Sequence, residues 1–447
     1  MLSKPYIENY KINLSLAYPI MLGQVGHILT GIADSIMVGN ISAEHLAAGA
    51  LGHSIYIVFF ILGLGIATGI TPLVGIAYGE KNYRECGVYF KNGLLSVMVI
   101  GLIMMLLMIA SVPLLDYIGQ APEVIKLAKS YYVISSLSLI PSMLFVSFKQ
   151  FTEGITLTKP AMYASIVFNL VNVFLNYIFI YGNFGFPRME LDGAGWASLI
   201  ARTGMGLSLV FYVFFNPDFK IYTDKLDWKK YSINHIKRIL KLGLPISLQF
   251  LLEVGSFTFG ALMMGWLGSN ELAAHQIAIS IAGFTYLAAS GIGSAATIRL
   301  SNLLGERKIG ELKVSGNASL VLVLIWMSIA AVLMILLRYH LPSLYVSELP
   351  VIELTASLFI VAAFFQIFDG VQVTALGALR GIKDVRVPTF ISLLSYWIIA
   401  LPVGYILAFT FELGAVGIWL GYLSGLFIAA ILLFFRFRKL IKSLSNT

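Results

Sequence analysis

The chain has little charge and almost no cysteine. Only 12% of its 447 residues are charged, against 58% hydrophobic residues, and soluble domains carry about twice that charged share. The single cysteine, Cys86, excludes an intramolecular disulfide. There is no Gly-Lys-Ser/Thr phosphate loop, no His-Glu-x-x-His and no Gly-x-Ser-x-Gly motif. ATP hydrolysis and the commoner hydrolase mechanisms therefore have no support, and we expect a protein that is not an enzyme.

The sequence is rich instead in long apolar runs, and its mean hydropathy is +0.87. A transmembrane helix needs about 20 mostly apolar residues, and runs of that kind recur along the whole chain, which leaves no room for a large soluble domain. The sequence therefore predicts an all-α integral membrane protein with twelve transmembrane helices in the lipid bilayer. The predicted spans are 13–37, 49–77, 91–112, 127–148, 161–182, 193–215, 241–267, 273–298, 316–337, 352–378, 388–410 and 415–435.

The positive charges predict how the chain crosses the membrane. Twelve spans place both termini on one side, and that side holds 25 of the 30 Lys and Arg residues. By the positive-inside rule both termini are cytoplasmic, as expected for a multi-pass protein of the cytoplasmic (inner) membrane. The net charge of +8 comes from short loops between helices rather than from one basic patch, so we expect no nucleic-acid partner.

The sequence indicates an internal duplication. The longest polar connection, Asn216 to Lys241, separates an N-terminal six-helix lobe (1–220) and an inter-lobe loop (221–240) from a C-terminal six-helix lobe (241–447). At an offset of 226 residues "YGEKNYRE" matches "LGERKIGE", and at an offset of 228 Pro160 matches Pro388. Because each half has an even number of spans, we expect two pseudo-symmetric lobes in the same orientation, as parallel repeats.

Three carboxylates lie deep within predicted spans, namely Asp34, Glu253 and Asp369. An ionisable residue in a span costs about 2.5–3.5 kcal/mol on insertion scales and usually faces the protein interior or a water-filled cavity. None of the three has a basic neighbour in sequence, so protonation or a bound cation could neutralise each of them. The alternative is that each carboxylate only forms hydrogen bonds across a helix interface.

Amide side chains accompany these carboxylates. Gln249 shares a helical face with Glu253, and Gln366 shares one with Asp369. A third face carries Asn169, Asn172 and Asn176, at i, i+3 and i+7 of span five. Such oxygen-rich faces suit a hard cation such as sodium, and hydrogen bonding between helices is an equally good explanation of the asparagines.

Four other polar residues within spans are candidates for a role. His27 could titrate or could be a hydrogen-bonded core residue, and Arg202, the only basic residue deep in a predicted span, could pair with a carboxylate or snorkel. Tyr286 and Gln276 could line a cavity, where the aromatic ring face would attract an organic cation.

Several longer motifs resemble one transporter family. They are "YPIMLGQ" and "LPISLQF" at the openings of the two halves, "ADSIMVGNISAEHLAA", "NELAAHQIA" and "DGVQVTALGALRGIKD". Together they resemble the multidrug and toxic compound extrusion (MATE) transporters, in particular the NorM-like bacterial branch, over nearly the whole chain. The resemblance implies two six-helix lobes that alternate between outward-open and inward-open states and export amphipathic organic cations in exchange for sodium or protons.

The resemblance also implies roles for individual residues. Glu253 and Asp369 match the carboxylates of the family's C-lobe cation site, which could hold sodium. Asp34 matches its N-lobe acid, with Asn172 and Asn176 as partners. Gln276 and Tyr286 look like contacts for the cation or drug, and His27 stands where relatives often have glutamine. Apart from the resemblance, Gln249 and His27 are further candidates for substrate binding.

The resemblance further leads us to expect a monomer that needs no cofactor beyond the coupling ion. The nearest alternative is a lipid-linked oligosaccharide flippase of the same superfamily, which would need a strongly basic cavity.

Overall fold

A computed structural model describes residues 4–224 and 226–445 of the chain. These residues are almost entirely helical. The α-helices are α1 Lys4–Gly39, α2 Ala43–Thr68, α3 Ile70–Gly79, α4 Tyr83–Ala110, α5 Pro122–Leu137, α6 Leu139–Gly154, α7 Lys159–Tyr181, α8 Glu190–Phe215, α9 Lys220–Thr223, α10 Ile233–Leu267, α11 Ser269–Gly305, α12 Ile309–Leu336, α13 His340–Ser343, α14 Leu349–Gly381, α15 Arg386–Leu393, α16 Leu401–Tyr405 and α17 Gly414–Ser445. Shorter 3₁₀ segments are Val112–Tyr117, Asn183–Gly185 and Pro217–Phe219, and π-helical segments are Leu394–Ala400 and Ile406–Thr410.

Twelve helical stretches in the described part of the chain are long and apolar enough to cross a membrane, which confirms the predicted number. Many helices extend beyond the predicted spans: α10 begins at Ile233 rather than at 241, and α17 continues to Ser445 rather than ending at 435. The extra turns carry Lys and Arg, and hydropathy cannot distinguish a charged helix end from a polar loop. The predicted span limits were therefore too narrow at these ends.

The backbone repeats the same turn after α3 and after α11. Lys81 and Arg307 both have φ of 57°, a left-handed conformation that is uncommon outside glycine. The amide of Lys81 donates to the carbonyl of Tyr78 (2.9 Å), and the amide of Arg307 donates to the carbonyl of Leu304 (3.1 Å). These residues are related by the offset of 226 found in the sequence, so the duplication extends to the details of the backbone.

A side-chain contact repeats in the same way. The hydroxyl of Thr71 donates to the carbonyl of Gln150 (3.0 Å), and the hydroxyl of Thr297 donates to the carbonyl of Gly377 (2.8 Å). Helices α11 and α14 also approach each other closely, because a Cβ atom on Gly377 would collide with the backbone of Gly293. Glycine allows this approach, which fixes α11 against α14.

The chain folds into two compact units, and the boundaries between them along the chain fall within the two long helices α1 and α10. The N-terminal unit is Leu22–Ser247; the C-terminal unit holds the described residues up to Met21 and those from Leu248 onward. Within the C-terminal unit the buried Asn13 of α1 donates to Ser319 Oγ (2.9 Å). Each boundary between the units follows the second residue after a proline, which is Pro19 in α1 and Pro245 in α10. The predicted lobe limits of 220 and 241 follow the duplicated sequence and stay a prediction.

Candidate functional site

The C-terminal unit contains a partly open cavity of about 390 Å³, lined by residues of α10, α11 and α14. Its wall is mostly apolar, with Phe257, Ile279 and Phe365 among its residues. Two predicted site residues, Glu253 of α10 and Asp369 of α14, both line it. The fold thus brings into one space two carboxylates that are more than a hundred residues apart in the sequence.

The two carboxylates are held differently. Glu253 Oε1 accepts a long hydrogen bond from the Tyr286 hydroxyl (3.4 Å). Asp369 is only 6% exposed, and its Oδ1 has no hydrogen-bond partner among the described residues. A buried carboxylate oxygen without a partner is costly, and a proton or a cation at this position would relieve that cost.

A basic residue that the sequence did not single out lies near this pair. Arg380 donates to the Oε1 atom of Gln249 (3.0 Å), one turn before Glu253 on α10, and covers the ring of Phe250 at 4.9 Å. The predicted span ended at 378, whereas α14 continues to Gly381. Arg380 was therefore missed because it lies in the last turn of the helix, beyond the predicted span.

A further buried carboxylate lies in a helix that is longer than its predicted span. Glu153 is 3% exposed in the last turn of α6, and its Oε1 lies 3.7 Å from Lys149 Nζ. The predicted span ended at 148, before Glu153, so the sequence assigned both residues to a loop. This buried carboxylate was not predicted from the sequence because the helix continues beyond the apolar run.

The two glutamines predicted beside the carboxylates form hydrogen bonds with other side chains and backbone atoms of the protein. The side-chain amide of Gln249 donates to Thr389 Oγ1 (2.9 Å) and to the carbonyl of Val385 (3.1 Å), and Gln249 does not line the cavity. Gln366 accepts from the Thr285 hydroxyl. By contrast, Gln276 and Tyr286 of α11 both line the cavity, so the fold gathers them with Glu253 and Asp369.

The N-terminal unit contains a second polar cluster around Asp34. Asn176, which is 0% exposed, donates its amide to Asp34 Oδ1. When the side-chain amide of Asn172 is turned by half a revolution, its oxygen and its nitrogen both find partners. In this turned orientation Asn172 also donates to Asp34 Oδ1 (2.9 Å) and accepts from Ser198 Oγ (3.3 Å). Asn169 instead donates to Ser165 Oγ (3.4 Å). The predicted asparagine face thus divides into two residues that hold Asp34 and one that does not.

Arg202 and His27 lie near this cluster. Arg202 donates to Ser138 Oγ and stacks over the Tyr56 ring at 4.5 Å. The side chain of His27 is exposed. Arg202 is therefore fixed within the N-terminal unit by several contacts rather than by one ion pair.

The comparison with known families agrees with this arrangement. The sequence profile of the MatE family matches residues 19–178 and 245–406. The chain belongs to the MatE family. The two matched stretches begin 226 residues apart and end 228 residues apart, which are the two offsets found in the sequence. MatE membership and the doubled backbone turns together confirm the predicted pair of pseudo-symmetric repeats.

Full-length relatives extend this MatE assignment. The chain is 34% identical to a probable multidrug resistance protein NorM from Bradyrhizobium diazoefficiens, over 98% of this chain and 95% of the relative. It is 32% identical to the multidrug resistance protein NorM of Photobacterium profundum, over 95% and 94% of the two chains. The predicted NorM-like branch is thus confirmed.

Solved structures share the MatE fold. A crystal structure of MATE in the bent conformation superposes with a TM-score of 0.90 at 20% identity, covering 100% of this chain and 99% of that chain. A transporter of the MOP superfamily from Pyrococcus furiosus Vc1 gives a TM-score of 0.88 at 22% identity, covering 98% and 97%. These likenesses confirm the predicted all-α membrane architecture.

Proposed function

We propose that this MatE protein is a multidrug efflux antiporter that exports amphipathic organic cations across the cytoplasmic membrane by alternating access, driven by entry of sodium or protons. The observation that carries the proposal is the pair of carboxylates, Glu253 and Asp369, in one largely apolar cavity. Apolar walls suit the hydrophobic body of such a cargo, and the carboxylates suit its positive charge. The names of the NorM relatives support drug as the cargo.

The charge of the cavity favours this cargo over a lipid-linked oligosaccharide. A pyrophosphate-bearing lipid would need several basic groups, whereas the side chains that line this cavity include two carboxylates and neither Lys nor Arg. Arg380 lies nearby, but it is engaged with Gln249 and Phe250. The flippase alternative therefore has no supporting feature in the described residues.

Exchange follows from the cost of burying the carboxylates. A proton or sodium ion on Glu253 and Asp369 offsets that cost, and so does the positive charge of a drug, so binding of one favours release of the other. A ligand shifts a conformational equilibrium only through its different affinity for the two states. Among the described residues no three His, Cys, Asp or Glu side chains group as metal ligands, so sodium would complete its coordination with other oxygens.

The N-terminal cluster is the second element of the proposal. Asp34 receives amide donors from Asn176 and, in the turned orientation, from Asn172. These donors stabilise the ionised carboxylate, which prepares Asp34 to attract a coupling cation. We propose that this cluster changes its ion occupancy during the cycle, whereas the drug binds in the cavity of the C-terminal unit, and that a monomer with both termini in the cytoplasm suffices for transport.

Reconstitution tests the proposal directly. Purified protein in liposomes should move a cationic dye when a sodium gradient or a pH gradient is imposed, and applying the gradients separately identifies the coupling ion. Glu253→Gln and Asp369→Asn keep shape and hydrogen bonding but remove charge, so both should insert normally and lose gradient-driven transport. Glu353→Gln changes an exposed carboxylate on the same helix α14 and should transport at the parental rate. Parental rates in both neutral cavity variants would refute the proposed role of these carboxylates.

A further inference from the structure

A buried histidine lines the cavity and has no assigned task. His275 of α11 is 2% exposed, and its Nδ1 has no hydrogen-bond partner among the described residues. Its ring packs edge-on against Trp419, with centroids 5.8 Å apart. The contact with Trp419 limits where the imidazole can lie and leaves a polar ring at the edge of the cavity.

The cavity separates His275 from the carboxylates. His275 and Tyr286 are three turns apart on α11, about 16 Å along the helix axis. Helices α10 and α11 are joined only by Gly268, and His275 lies near that junction. On α10, Ala261 also lines the cavity, and Glu253 lies two turns further from the junction than Ala261 does. The cavity is therefore elongated, with His275 toward the junction and the acidic pair toward the opposite end.

The cost of leaving the Nδ1 atom of this imidazole without a hydrogen-bond partner points to a ligand. A buried polar atom without a partner costs roughly 1–3 kcal/mol, and apolar packing against Trp419 alone would be served equally well by an aromatic or aliphatic residue. A full charge at this degree of burial is more costly still, so the ring is best treated as neutral. A neutral imidazole has one donor and one acceptor nitrogen, and it can therefore bind an uncharged polar group such as a hydroxyl.

We infer that His275 forms a second polar subsite, which hydrogen-bonds an uncharged polar group at the far end of an elongated cationic cargo. This inference rests on the proposed function, because the carboxylates must bind the cationic end of the same molecule. It makes His275 a specificity-determining residue: the cavity prefers amphipathic cations with a polar tail group over those with a wholly apolar tail. The carboxylates would recognise charge, and His275 would recognise the second polar group.

Two probes that differ by one hydroxyl test the inference. They are the decyltrimethylammonium ion and its analogue with a hydroxyl at the end of the chain, whose length suits the distance from the acidic pair to His275. Binding to purified protein in detergent is measured by isothermal titration calorimetry, and the ratio of the two dissociation constants is the readout. Replacing His275 by Leu should change that ratio by about fivefold against the hydroxylated probe, as expected for one net hydrogen bond.

Two variants separate recognition from packing. His275→Asn retains a side chain that can donate and accept, so it should restore most of the preference. Ile279→Ala removes an apolar lining residue and should weaken both probes by the same factor, leaving the ratio unchanged. An unchanged ratio in His275→Leu, with both probes still bound, would overturn the inference and leave the proposed function intact. If the parent protein bound neither probe, the proposed function itself would fail.

Discussion

Replacing Asn176 by leucine tests the cluster around Asp34 most sharply. The Asn176 amide donates to Asp34 Oδ1, and the residue is completely buried. Leucine has nearly the same volume and no donor, so among the described residues Asn172 remains as the amide donor to the carboxylate, at 2.9 Å in the turned orientation. A hydrogen bond to a charged group contributes about 1.5–3 kcal/mol. Loss of that contribution corresponds to roughly a 10- to 100-fold change in any equilibrium that needs ionised Asp34.

The assay is efflux of ethidium from cells that contain equal amounts of each variant, with membrane insertion checked separately. Asn176→Leu should insert normally and should slow efflux by about tenfold or more, because each transport cycle would have to ionise Asp34 against this penalty. The matched control is Asn169→Leu. Asn169 lies on the same face of α7 and is also buried, but it contacts Ser165 rather than Asp34.

The control decides what the asparagine face does. If Asn169→Leu transports almost normally while Asn176→Leu does not, the donors to Asp34 matter for transport. Equal losses in the two variants would mean that the asparagines serve general packing between helices. Parental efflux by Asn176→Leu would refute the argument from the hydrogen bond to Asp34.

Two further predictions concern the fold. Gly377→Ala should lower the melting temperature of the purified protein by several degrees, because the added Cβ meets the backbone of Gly293 and overpacking typically costs about 1–3 kcal/mol. The control is Gly310→Ala, where an added Cβ meets nothing within 4 Å. Equal melting temperatures of the two variants would contradict the close approach of α11 and α14. In a Cys86→Ser background, single cysteines placed near Tyr222 and near Asn40 should react with impermeant thiol reagents from opposite sides of the membrane, and labelling from one side would contradict the twelve-span topology.

The sequence predicted the number of helical stretches able to span a membrane, because each span requires a long apolar run. It also predicted the duplication, since the loops keep their turn residues: the left-handed backbone at Lys81 recurs at Arg307. It did not predict where helices end, because the charged residues of a final turn resemble those of a loop. Glu153 and Arg380 were missed for that one reason, although both lie in helices.

The candidate site was predictable only in part. An acid in a span is visible without a structure, so Glu253 and Asp369 could be named, but the sequence cannot show that they share a cavity. Helical periodicity placed Gln249 on the same face as Glu253, yet the fold uses that amide to bond Thr389. His275 escaped notice because a lone histidine carries no pattern; its missing hydrogen-bond partner appears only in three dimensions.

The structure also explains why the two repeats do not carry the same acid site. At the offset of 226, Asp34 corresponds to Gly260, where even a Cβ would collide with the Tyr422 hydroxyl. Tyr422 is buried and donates to the carbonyl of Ser256 (3.2 Å), so an aspartate at position 260 would have to displace a core aromatic residue.

The C-terminal unit instead carries its acid at Glu253, whose counterpart is His27. Matching turns follow α6 and α14. The backbone amide of Thr156 donates to the carbonyl of Glu153 (2.9 Å), and the backbone amide of Lys383 donates to the carbonyl of Arg380 (3.0 Å). Glu153 and Arg380 therefore occupy equivalent positions and have opposite charge. The duplicated backbone is thus retained while its buried charges differ.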